Sequence, residues 1–125
     1  MSSGRILVVD DEPALAGAVA DELRAQGYDV DEAQQSGPAI ELALSRDYDL
    51  IVADLNMPGG GGRRLHRVLS ERRPELAGRL LLMTGDARPE DDDLSLAGVA
   101  CIEKPFTATA LTAAAAEILR RARGA

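Results

Sequence analysis

Five groups of the sequence could do chemistry together, and each follows directly on a short apolar run. Asp10 and Asp11 follow RILVV, Asp54 follows LIVA, Thr84 follows RLLLM, and Lys104 follows VACIE. Two carboxylates about 4 Å apart repel by about 4 kcal/mol at an effective dielectric near 20, and a third adds to that cost. One lysine cannot neutralise three acids. A hard divalent cation can, and an all-oxygen ligand set that keeps some waters suits Mg²⁺ better than zinc, which favours His or Cys. A carboxylate beside such a cation and a fixed ammonium, with a hydroxyl opposite, is also equipped to meet phosphorus. Asp54 is then the candidate nucleophile, forming an acyl phosphate. Lys104 and the metal balance charge on the transferring oxygens, and Thr84 offers one of them a hydrogen bond. Each residue also has a plainer use when taken alone: Asp10 and Asp11 can cap a helix, Glu12 can answer its dipole, and Asp54, Thr84 and Lys104 can be solvated loop residues.

Convergence of these groups demands a particular arrangement of elements. RILVV (5–9) predicts a buried strand, and EPALAGAVADELRAQG after it spaces Leu15, Val19 and Leu23 four apart, with Pro13 at the first helical turn and Gly27 at the stop. YDVDEA alternates, as an outer strand with one side near solvent does. A second helix follows in SGPAIELALSRDY, with Ser36 as its expected cap and Ile40, Leu42, Ala43 and Leu44 as buried candidates. LIVA (50–53), a helix from about Gly62 to Arg72, RLLLM (79–83), a weakly marked helix ending near Gly98, VACIE (99–103) and an Ala-rich last helix complete the chain. That last helix sets Leu111, Ile118 and Leu119 on one side and arginines in its final turns. Strands alternating with helices call for parallel βαβ units with right-handed crossovers, and fully apolar strands call for a sheet covered on both faces. The expected fold is therefore α/β, an open doubly wound sheet of five parallel strands. In such a sheet ligands bind beyond the carboxyl ends of the strands, where the five groups stand.

Composition narrows the function further. The chain has 125 residues, enough for one domain over 1–125, and carries 21 acidic against 14 basic residues for a net charge of −7. That balance disfavours phosphate backbones and anionic membranes, so no direct nucleic-acid or membrane contact is expected. A single Cys, no apolar run near the twenty or so residues of a membrane span and no leader-like opening point to a soluble cytoplasmic domain.

VVDDE, DLNMPGGGG, LLLMTG and CIEKPF, in this order and at these intervals, resemble the receiver domain of two-component response regulators and of hybrid histidine kinases, and the likeness covers essentially the whole chain. The resemblance implies a flavodoxin-like (βα)5 fold with strand order 2-1-3-4-5. It implies phosphorylation of Asp54 by a histidine kinase or a histidine phosphotransfer protein, in a signalling domain that is not itself an enzyme and is a monomer or weak homodimer. The metal ligands it implies are Asp10, acting mainly through water, Asp11, Asp54 and the backbone carbonyl of Asn56. Lys104 pairs with the phosphoryl group, Thr84 moves to meet it, and Pro105 follows through a cis peptide bond. The donor is expected to dock near the first helix, at Leu15 and Ala18.

The chain departs from the family pattern at two places. Cys101 holds the position three before the lysine, where the family usually carries Tyr or Phe; a small side chain cannot sweep a ring between two surfaces, which predicts an acceptor or relay more than a strong switch. Gly59 to Gly62 predict a mobile loop beside Asp54, since Gly loses the most backbone freedom on ordering. Gly85 leaves space above the site, as in receivers fused to histidine kinases. Cys101 is expected in the core, His66 on the flank of the third helix and Glu90 to Asp93 on a solvated face. Two other classes compete. An Mg²⁺-dependent phosphohydrolase with an Asp nucleophile wants a second acid where this chain has Asn56, and an FMN carrier wants a Ser/Thr-rich phosphate loop that the sequence lacks.

Overall fold

Five parallel strands, β1 (Arg5–Val9), β2 (Asp29–Ala33), β3 (Leu50–Asp54), β4 (Leu80–Thr84) and β5 (Ala100–Glu103), lie in the order β2-β1-β3-β4-β5. The computed structural model describes residues 4–85 and 94–124. Helices α1 (Pro13–Ala25), α2 (Ser36–Ser45), α3 (Gly61–Arg72) and α5 (Ala108–Gly124) alternate with the strands, and Pro74 starts a further single turn, α4 (Pro74–Ala77), that the pattern did not announce. The weakly marked helix ahead of Gly98 falls mostly outside the described residues, as does the acidic run Glu90–Asp93; the described part holds a 3-10 turn, Leu94–Leu96.

The burial of each strand follows from its place. β1, β3 and β4 are central and lose water on both faces, which is why their sequences are unbroken apolar runs. β2 and β5 are edges and are only partly covered. On one face Leu7, Val9, Ile51, Ala53 and Leu82 pack under α2 and α3, with Ala39, Ala43, Leu65 and Leu69 supplying the helical side. On the other, Ile6, Val8, Leu50, Val52 and Met83 meet α1 and α5 through Val19, Leu23, Leu111, Ile118 and Leu119. Arg73, at the α3–α4 junction, ties in the end of α2: its guanidinium donates to the carbonyls of Ala43 and Arg46, both at 2.8 Å, and pairs with Asp47 and Glu75 at 3.2 Å. Terminal helix carbonyls have no partner of their own, and here a side chain from the neighbouring helix of the same layer supplies it.

Two expectations are corrected, those for Ser36 and Cys101. Ser36 does not cap α2; it is the helix's first residue, buried, and its hydroxyl accepts the Gly61 N–H at 2.9 Å. The glycine run is a hydrogen-bonded turn whose composition the backbone requires. Gly61 has φ +54°, where an L side chain is strained, and a Cβ on Gly62 would lie 2.6 Å from Leu82 Cδ2 and 3.1 Å from the Asp54 carbonyl. α3 can therefore begin directly on the backbone that carries Asp54. Cys101 is exposed rather than in the core, because β5 is an edge strand and the residue points away from the α1–α5 layer that buries its neighbours.

Candidate functional site

The sheet order places the ends of β1 and β3 side by side at the point where the chain reverses its winding, and the acids stand there. Asp10 is the first residue after β1; its N–H extends the ladder by donating to Ala33 O at 3.1 Å. The residue is fully buried, and a buried carboxylate needs partners. Oδ1 accepts the Glu12 N–H at 2.9 Å, and Oδ2 faces Lys104 Nζ at 3.3 Å. Asp11 follows, exposed at the mouth. Asp54 is the last residue of β3 and partly buried; its Oδ1 accepts the Asn56 N–H at 3.3 Å and its Oδ2 lies 3.4 Å from Lys104 Nζ. Both aspartates thus make the same local turn, in which a carboxylate accepts the N–H two residues on.

Lys104 arrives from the opposite end of the chain. Its N–H donates to Thr84 O at 2.7 Å, which carries the β4–β5 ladder one residue past β5, and its peptide bond to Pro105 is cis. The register sets Asp54 opposite Met83, so Thr84, buried at the end of β4, stands one residue beyond it. All five sequence-predicted groups therefore end on the same rim. Gly85 is exposed and a Cβ there would meet open space, in keeping with the room expected above the site.

Asp10, Asp11 and Asp54 each offer an oxygen within 4.8 Å of the others. At that separation each pair repels by about 3.5 kcal/mol at an effective dielectric of 20, and Lys104 balances only one charge of three. Burial chiefly holds the Asp54 carboxyl above the usual carboxylate range, with Asp10 adding to the rise and Lys104 opposing it. Burial alone would lower the Lys104 ammonium, but Asp54 and Asp10 outweigh it and the net shift is upward. The donor set is all oxygen and leaves a net negative pocket, which fits a hard divalent cation. His66 lies on α3, 3.5 Å from Ser70, lining a hollow of about 470 Å³ with Leu80 and Ala100 at the amino ends of β4 and β5, the opposite pole from the acids.

Sequence reasoning missed two residues near the rim. Ser36 pins the glycine turn from α2, and Arg63, in the first turn of α3, donates its Nε–H to Asn56 Oδ1 at 3.1 Å. Nothing in the spacing of Arg63, seven positions after Asn56 across a turn of glycines, announced that contact. A second hollow, about 390 Å³ and mainly apolar, lies beside Lys104 between Leu15, Pro105 and Phe106.

Fold and site together define a doubly wound α/β domain with an acid pocket and one bridging lysine at its switch point. The model for the response regulator receiver domain matches residues 6–116, and the chain belongs to that family. It is 34% identical over 102 residues to the sensor protein EvgS of Escherichia coli K12, a match covering 82% of this chain and 8% of that protein. It is 33% identical over 123 residues to the aerobic respiration control protein ArcA of the same strain, covering 97% of this chain and 50% of that one. The chain thus spans half or less of these relatives. The response regulator TrrA of Thermotoga maritima, solved in complex with Mg²⁺-BeF, superposes with a TM-score of 0.81 at 29% identity, covering 94% of this chain and 99% of that one. The chain is a receiver domain of two-component signal transduction. Among the described residues no helix is long and apolar enough to cross a membrane.

Proposed function

We propose that Asp54 takes a phosphoryl group from the phosphohistidine of a histidine kinase or a histidine phosphotransfer protein, in an Mg²⁺-dependent reaction. A carboxylate oxygen of Asp54 bonds to phosphorus while the P–N bond breaks and its electron pair leaves on the imidazole. The observation that carries this reading is the single ammonium of Lys104 set 3.3 Å from Asp10 and 3.4 Å from Asp54. It steers the phosphoryl oxygens, whose negative charge it matches, to the carboxylate that must attack them. Asp10, Asp11, Asp54 and the carbonyl of Asn56 would hold the metal; when bound, it supplies the positive charge that lets an anionic nucleophile approach an anionic phosphorus. Thr84 then bonds a phosphoryl oxygen.

The donor docks over the mainly apolar hollow that Leu15, Pro105 and Phe106 form beside Lys104. Residues 1–125 act as one cytoplasmic domain, monomeric or weakly dimeric, without touching nucleic acid, and Cys101 in place of an aromatic ring makes the domain more an acceptor or relay than a switch. A phosphohydrolase is disfavoured, since the amide of Asn56 cannot serve as general acid and base. Incubation with acetyl phosphate and Mg²⁺ followed by intact mass measurement is the test. Wild type gains one phosphoryl group and Asp54→Ala gains none; a gain on both, or on neither, refutes the assignment.

A further inference from the structure

We propose that Arg63 sets the lifetime of the phosphoryl group by holding the side-chain oxygen of Asn56 away from the water that would hydrolyse it. The inference rests on Asp54 being the phosphoacceptor. Loss of the group is a second displacement at phosphorus: a water oxygen bonds to phosphorus, the P–O bond to Asp54 breaks, and the electron pair returns to the carboxylate. The products are the Asp54 carboxylate, hydrogen phosphate and one proton. The attacking water must direct a lone pair at phosphorus, so its hydrogens need an acceptor close to Asp54.

Among the described residues few oxygens beside Asp54 can serve. Both oxygens of Asp10 are engaged, one by the Glu12 N–H and one by Lys104. Asp11 and Asp54 belong to the cation and the phosphoryl group. Asn56 is exposed, so water reaches it, and its backbone N–H donates to Asp54 Oδ1, which sets the residue directly beside the nucleophile. Its amide oxygen is a neutral acceptor next to the nucleophile, and that oxygen already accepts the Arg63 Nε–H at 3.1 Å. A hydrogen bond from a charged donor is stronger than one from water, so the guanidinium turns the amide toward α3 and weakens it as an acceptor for a water. The neighbouring Arg64 donates Nη1–H to Gly59 O at 3.2 Å, so the first turn of α3 grips the loop after Asp54 at two places. Arg63 is thus a positioning residue, acting through Asn56.

The test isolates hydrolysis from uptake. Protein is loaded with acetyl phosphate and Mg²⁺, the donor is removed by desalting, and loss of the phosphoryl mass is followed over time. Compared with wild type, Arg63→Ala shortens the lifetime by about three- to tenfold, the scale of one oriented hydrogen bond. Arg63→Lys, which keeps a cationic donor, stays near wild type. In an Asn56→Ala background Arg63→Ala has no further effect, a result that a merely structural role for Arg63 would not give. An unchanged or longer lifetime in Arg63→Ala, or the same shortening with and without Asn56, overturns the proposal while leaving Asp54 as acceptor. Absence of any added phosphoryl group on wild type overturns both.

Discussion

Replacing Lys104 by methionine keeps most of the length of the side chain and removes its charge. Asp10 then has a side chain only 1% exposed and Asp54 one 15% exposed, with no cation between them. Deleting one partner of a buried ion pair typically costs about 3–5 kcal/mol, because the remaining charge stays buried. Lys104 is itself 26% exposed, so water enters where it leaves, and the lower figure of about 2–3 kcal/mol is expected in EDTA. The stability that Mg²⁺ confers through binding the folded state follows its affinity, about 2.7 kcal/mol at a hundredfold excess over Kd. Without the competing ammonium the three acids bind the cation more tightly, so Mg²⁺ should recover more stability in Lys104→Met than in wild type. Urea unfolding of both proteins, in EDTA and in 10 mM Mg²⁺ as a rough working concentration, measures all four values. The electrostatic reasoning fails if the variant lies within about 0.5 kcal/mol of wild type in EDTA, the range of an ordinary surface change. It fails equally if Mg²⁺ adds the same increment to both.

Asp54→Asn should be more stable than wild type at pH 7 in EDTA. The folded pKa of Asp54 is raised, so the stability given by its protonated form is present below the ordinary value of 3.8 and lost as pH rises through the folded one; the asparagine's lead should vanish in acid, and a lead that persists there would show another cause. Gly62→Ala forces a Cβ against Leu82 and the Asp54 carbonyl and should cost about 1–3 kcal/mol while slowing phosphoryl uptake; normal uptake and an unmoved unfolding midpoint would mean that α3 shifts freely. Arg73→Ala should cost about 2–3 kcal/mol through its two bonds to helix carbonyls, whereas Asp47→Ala, at a fully exposed carboxylate, should leave the unfolding midpoint in place.

The sheet was legible in the sequence because central parallel strands must be apolar on both faces, and the residues at their carboxyl ends could then be named one by one. β4 and β5 begin one position later than the apolar runs suggest, and β3 and β4 extend to include Asp54 and Thr84, because backbone pairing does not stop where hydrophobicity does. Asp10, Asp11, Asp54, Thr84 and Lys104 converge as their types and positions required. What stayed hidden depends on contacts between residues distant in sequence or across a turn. Ser36 looked like a cap because caps are local, yet its partner is Gly61, 25 residues on. The glycine run suggested freedom, since composition alone cannot distinguish a slack loop from one with no room for a Cβ. Arg63 drew no reading from the sequence, because its target oxygen on Asn56 is set by the fold of the turn between them.

Lys104 and Asp10 meet across 94 residues of chain, so the pocket is stitched from the first strand and the last. A molecule whose edge strand β5 has come loose keeps Asp10, Asp11 and Asp54 but loses the one ammonium that sits against two of them. The charge balance of the pocket is therefore reached only when both ends of the chain are in place.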